Sequence, residues 1–215
     1  EAVKAVLPGQ GVRTLSWHYR SEDERLIAFS NQHPELYGRR LVTAPSTSLE
    51  PPFQYHLVEG QLSDVTGKSP RAETQRTVQE AIRHLTLRPD LSLAVIALGS
   101  EHARNIQNEF DRQVGEDPSI QLFPEGRPDE KFIIRHLESI QGDERDVVIF
   151  STGYGPREIG KLRYDFGPIN RDKNLSGLRR LNVAVTRARK RVEVVSTINP
   201  YQYDDNKLNS IGAKG

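Results

Sequence analysis

"LAVIAL" at residues 93–98 and "DVVIFST" at 146–152 decide the fold. Each run is apolar at nearly every position instead of every second one. That is the pattern of a strand covered on both faces, as in a parallel sheet packed between helices. Working outward, β-rich runs recur at "LSW" (15–17), "YHLV" (55–58), "KFIIRHL" (131–137) and "RVEVVST" (191–197). Helical periodicity separates them over about 22–31, 71–87, 100–113 and 176–189. The alternation predicts an α/β domain with a mostly parallel central sheet and helices on both faces. One domain is expected over residues 1–200, with a polar linker at 201–215 leading to a following domain. Two stretches are expected to leave the core: the loop "TAPSTSLEPPF" (43–53) and a Gly/Pro-rich insertion at about 153–175 with room for a small hairpin.

Composition narrows the function. With 215 residues, 35% hydrophobic and 27% charged, the chain has the balance of a soluble globular protein. No apolar run approaches the roughly 18 residues of a membrane span. "EAVKAVLPGQG" (1–11) lacks the apolar core of a signal peptide. A cytoplasmic location and no membrane partner are expected. There is no cysteine, which removes disulfides, thiolate metal sites and a thiol nucleophile together. His18, His33, His56, His84, His102 and His136 show no close ligand spacing, so surface or half-buried imidazoles and no metal site are expected. Methionine is absent even at position 1, and the chain reads as a piece of a longer protein. The net charge is only +1, so any basic surface must come from local clustering.

The clearest cluster is "LRRLNVAVTRARKRVEVV" (178–195), with six arginines and lysines between Arg179 and Arg191 and no acid between them. Read as a helix, it carries Leu178, Leu181, Val185 and Ala188 on a core-facing stripe. Arg180 and Arg187, seven apart, share another face. Arginines near a helix C-terminus complement the macrodipole, but that accounts for one or two cations and not six. An element anchored by its stripe can aim a cation at an anion, and Arg187 is expected to project from the last helical turn.

Two motifs are set aside. "VTGKS" (65–69) suggests a phosphate loop, but Leu62 stands where that motif needs glycine and Pro70 follows the serine, so a solvated loop is expected. Asp90, Asp129 and Lys131 match the loose spacing of a metal-dependent nuclease. Asp90, however, falls in a helix-to-strand turn and Asp129 in a Pro/Gly loop.

Three stretches occur in a telling order: "LSWHYRSEDERLIAFSNQHPELYGRRL" (15–41), "LESIQGDERDVVIFST" (137–152) and "RRLNVAVTRARKRVEVV" (179–195). Together, over roughly residues 12–200, they resemble the second, C-terminal RecA-like domain of superfamily 1 helicases. The resemblance is to the 5′→3′ branch that includes the RNA helicase of nonsense-mediated decay, in the style of large bacterial AAA-containing proteins. It implies an ATP-dependent helicase whose ATP, with Mg²⁺, lies between two RecA-like domains. The phosphate loop and Mg²⁺ ligands would come from a first RecA-like domain outside this chain. Arg187 would be the arginine finger and Arg20 a second arginine facing the γ-phosphate. Tyr19 would pack on adenine, and Gln141, Gly142 and Glu144 would approach the nucleotide and its sugar. Core or rim packing is the alternative for Tyr19, and a surface salt bridge the alternative for Glu144. Single-stranded DNA or RNA would be the partner, with Ser100 and Ser139 as candidate phosphate donors. The chain departs from the family at Asp143, where arginine is frequent, at His136, where threonine is, and at His102, where glutamine is. The ATP side is therefore more complete than the nucleic-acid side. By the same resemblance, the fragment alone would be inactive. A non-catalytic nucleic-acid-binding domain and, behind it, a nuclease remain as alternatives.

Overall fold

The computed structural model describes residues 16–60, 69–116, 120, 122, 124–156, 162–170 and 175–208. Five strands, β1 (Phe53–Leu57), β2 (Leu93–Ala97), β3 (Ile133–His136), β4 (Arg145–Ser151) and β5 (Ala188–Ser196), form one sheet in the order β1-β5-β4-β2-β3. Every pairing is parallel. The described α-helices are α1 (Arg25–Gln32), α2 (Arg71–Leu87), α3 (Ser100–Glu116) and α4 (Ser176–Val185). The result is the expected α/β, RecA-like arrangement.

β2 and β4 are buried at every position, as their unbroken apolar runs require. Side chains alternate between two cores because the strand period is two. Val95, Ala97, Val147 and Ile149 meet Val78, Ala81 and Leu85 of α2 and Ile106 and Phe110 of α3. Ala94, Ile96, Val148 and Phe150 face the other way, toward Leu26 of α1 and Ala184 of α4. Complete burial of each Ile, Leu or Val contributes about 1.5–3 kcal/mol. The second core also holds Leu137 and Ile140, so the β3–β4 connection is pinned across the sheet face without a helix of its own.

Several expectations need correction. The strand at 15–17 is reduced to one parallel bridge between Trp17 and Val42, and Leu15 lies outside the described residues. The chain leaves Trp17 directly for a tight turn, in which the Ser21 N–H donates to His18 Nε2 at 3.2 Å. The helix expected over 176–189 stops at Val185; Thr186 and Arg187 form a turn, and β5 begins at Ala188. β-branched Val183, Val185 and Thr186 weaken the last helical turn. The sheet then captures the next residues, with the Arg145 N–H donating to the Arg187 carbonyl at 3.1 Å and Ala188 in register with Arg145. Ala188 is therefore a strand residue, not part of a helical stripe.

Within the insertion, Gly167–Ile169 form a 3-10 turn that packs under α4 so closely that a Cβ on Gly177 would stand 2.1 Å from the Ile169 carbonyl oxygen. Residues 157–161 and 171–174 of the insertion lie outside the described residues, as do 209–215 of the expected linker. Packing continues past residue 200, through short turns at Pro200–Gln202 and Asp205–Lys207, to buried Leu208.

Candidate nucleotide site

Two arginines from distant parts of the chain are held at the N-terminal ends of the central strands β4 and β5. Arg20 lies in the turn between Trp17 and α1, which is tied to β5 by the Glu22 N–H donating to the Arg189 carbonyl at 2.7 Å. Arg187 lies between α4 and β5. Its N–H donates to Ala184 O, its carbonyl accepts from Arg145, and its Nε donates to Val183 O at 2.9 Å. The rigidity expected of a helical turn is thus supplied by backbone clamps on both sides. Burial, and next the charge of Arg20, push the Arg187 guanidinium below its ordinary pKa, while Glu144 opposes them. Arg20 Nε pairs with Glu144 Oε2 at 2.8 Å, so the surface salt bridge weighed for Glu144 forms. Gly142 precedes it with φ +96°, a left-handed conformation that disfavours any side chain. Tyr19 is 90% exposed, so its ring is not taken up in core or rim packing. Beside Arg187, Leu137, Glu138, Gln141, Arg180 and Val183 line an open cavity of about 630 Å³.

The six cations do not form one face. Arg189 is held by Asp146 at 3.0 Å, by Glu130 and by Glu144 at 3.7 Å. Burial works against its charge, but the hydrogen bonds that it donates to Glu130 and Asp146 raise its pKa above the ordinary value. Arg191 pairs with Glu193 at 2.7 Å and Lys190 with Glu22 at 3.7 Å. Arg180 donates to Pro168 O at 3.0 Å and lies 3.8 Å from Glu138. Among the described residues, only Arg179 and Arg187 of the six have no carboxylate partner, and of those two only Arg187 lines the cavity. Four of the six cations are therefore tied up in ion pairs, and among the described residues Arg179 and Arg187 are left over.

An AAA domain family matches residues 4–199, nearly the whole chain. The chain belongs to that family. As an AAA domain it is similar to the uncharacterized ATP-dependent helicase MG140 of Mycoplasma genitalium, 30% identical over 206 residues, covering 93% of this chain and 17% of that protein. A homolog of MG140 in Mycoplasma pneumoniae is 30% identical over 207 residues, with the same coverage. The chain thus spans 17% of the length of these relatives. A solved structure, the C-terminal domain of a possible DNA helicase from Lactobacillus plantarum WCFS1, aligns with a TM-score of 0.44 at 14% identity, over 88% of this chain and 97% of that one.

The other residues singled out in the AAA domain lie elsewhere. Ser100 opens α3, three residues past Ala97 of β2, and Ser139 follows His136 of β3 by three; Ala97 and His136 are in register. Both serines are exposed, and the Ser139 hydroxyl already bonds to His136 Nδ1 at 3.0 Å. Asp90 lies 3.8 Å from Arg88, and Asp90 and Asp129 are exposed. Neither belongs to the one metal-type group among the described residues, His56 with Glu80 and Glu193. In that group Arg76 and Arg83 each stand 2.6 Å from Glu80, and Arg191 stands 2.7 Å from Glu193. Three guanidiniums already compensate the two carboxylates, so the group fits an internal ion network better than a cation site. No described helix is long and apolar enough to cross a membrane.

Glu73 is the polar residue that sequence reasoning missed. It is fully buried, and its carboxylate accepts from the Gly153 N–H (2.6 Å), the Thr197 N–H (3.1 Å) and the hydroxyls of Ser151 (2.9 Å) and Thr152 (3.1 Å). Burial opposes its charge, yet His102, Gly153 and Ser151 hold its pKa below the ordinary carboxylate value. His102, expected at or near the surface, is 2% exposed and bridges Ser69 and Ser151, and His84 is likewise buried. Ser69, expected in a solvated loop, is buried with them; Leu62 and residues 65–68 lie outside the described residues. A signal existed: Glu73 falls on the same i, i+4, i+8, i+12 line of α2 as Thr77, Ala81 and Leu85, all facing the core.

Proposed function

We propose that this AAA domain is the second RecA-like domain of a superfamily 1 ATP-dependent helicase or translocase of the 5′→3′ branch, acting in the cytoplasm on single-stranded DNA or RNA. It supplies Arg187 and Arg20 to the phosphates of an ATP held by a first RecA-like domain of the same parent chain. Tyr19 stacks on the adenine, Gln141 and Gly142 border the nucleotide, and Ser100 and Ser139 contact the strand. The observation that supports this reading is that the Glu144–Arg145 turn holds both arginines, Arg20 through Glu144 at 2.8 Å and the Arg187 carbonyl through the Arg145 N–H at 3.1 Å, with an exposed Tyr19 next to Arg20 and an open cavity at Arg187. Two cations are kept side by side only at an electrostatic cost, which a polyanion between them would relieve. The Mg²⁺ ligands are assigned to the first domain, and both Glu144 oxygens face guanidiniums, those of Arg20 and Arg189.

Domain closure assembles catalytic groups from both sides, and each ATP cycle then drives a step along the strand. An arginine finger contributes about 10³–10⁵ in rate by stabilising charge on the transferring phosphoryl oxygens. Half a site hydrolyses nothing, so the fragment alone neither turns over ATP nor unwinds. The test is strand-stimulated ATP turnover by the full-length parent with Arg187→Ala. A fall in kcat of at least about a hundredfold with nucleotide affinity retained is expected. Unchanged turnover refutes the assignment.

A further inference from the structure

The salt bridge at Arg20 gives Glu144 a task different from the sugar contact that the helicase resemblance implies. Its two oxygens both face guanidiniums, Oε2 at 2.8 Å from Arg20 Nε and Oε1 at 3.7 Å from Arg189 Nη1. Arg189 is in turn fixed by buried Asp146 at 3.0 Å and by Glu130. A continuous ionic chain therefore runs from the sheet interior through Arg189 and Glu144 to Arg20 at the surface. Arg20 has no other carboxylate partner among the described residues, and it is engaged through Nε. Its two terminal amino groups make no hydrogen bond among the described residues and stay available to an anion. The same carboxylate offsets part of the repulsion between Arg20 and Arg187. Asp143, the other acid of the turn, lies 4.0 Å from Arg135.

We infer that Glu144 is a positioning residue that acts through Arg20: it orients the Arg20 guanidinium by Nε and lets two arginines share one phosphate face. The inference rests on the function proposed above, because it needs a nucleotide at Arg20 and Arg187. The pair is more than a third exposed on each side, so it adds little to stability; its effect lies in geometry. Misplacing a catalytic group by about 1 Å can cost on the order of a hundredfold in rate.

The experiment is a double-mutant cycle between Glu144→Gln and Arg20→Ala in the full-length polypeptide. It reads strand-stimulated turnover of ATP and of 2′-deoxy-ATP. Glu144→Gln is isosteric, and a thermal melt checks that the fold is kept. It is expected to lower kcat about tenfold with KM within about twofold, and to do almost nothing once Arg20 is alanine. The preference for ATP over 2′-deoxy-ATP should stay as in the wild type. An equal Glu144→Gln effect in both backgrounds, or a lost preference between the two nucleotides, overturns the inference and restores the sugar contact. If Arg20→Ala and Arg187→Ala both leave turnover intact, the proposed function itself fails and the inference with it.

Discussion

Asp146→Asn offers the most quantitative test of the structure. Asp146 is 1% exposed at the start of β4 and accepts from the Ser92 N–H (3.0 Å) and Arg189 Nε (3.0 Å), with Arg127 beside it. Burial alone would raise its pKa, but Arg127, the Ser92 N–H and Arg189 win and lower it from 3.8 to about 2. That difference corresponds to about 2 kcal/mol of folding stability carried by the ionised form. Because the folded-state value is the lower one, this stability is present above about pH 4 and is lost as pH falls through about 2. About half should be gone by pH 3. Asparagine keeps an acceptor for Ser92 but leaves Arg127 and Arg189 short of a charge, a loss of about 2–4 kcal/mol at pH 7. Urea unfolding of both proteins by circular dichroism, from pH 7 to pH 3, measures the gap between them. Taking the gap cancels the acid response of Glu73, which both share. It should narrow by about 1 kcal/mol at pH 3. A gap that stays constant over this range, or one below about 0.5 kcal/mol at pH 7, would falsify the buried ion network as described.

Glu73→Gln should lower stability by about 3 kcal/mol, since an amide offers one acceptor where a carboxylate served several donors; a melting-temperature drop of about 6–12 °C is expected. An unchanged melt would mean that the Gly153 and Thr197 bonds do not matter. Arg189→Ala should cost about 2–3 kcal/mol, because buried Asp146 and Glu130 are left to share Arg127, whereas neighbouring Lys190→Ala should stay within about 0.5 kcal/mol. Similar losses for the two would contradict the division of the basic cluster. Tyr19→Ala should leave the melting temperature unchanged, since the ring is 90% exposed, and raise KM for ATP at least about fivefold in the parent. A destabilised protein with normal KM would assign Tyr19 to packing.

The unbroken apolar runs of β2 and β4 mark a parallel sheet in the sequence itself, because burial on both faces is a one-dimensional pattern. The arginines and the Gln141–Gly142 turn were legible for a similar reason: a motif is a local string. Where those arginines end up was decided in three dimensions. α4 ends at Val185 because Arg145 offers the Arg187 carbonyl a sheet partner, and no window of sequence around residue 187 contains residue 145. The six cations looked equivalent along the chain. Their fates diverged because Glu22, Glu130, Glu138, Asp146 and Glu193 approach some of them and not Arg187. Periodicity reports how each element meets the core, and that much the sequence alone determined. Charge pairing depends on which distant side chains the folded backbone brings within a few ångströms, and only the tertiary structure decided that.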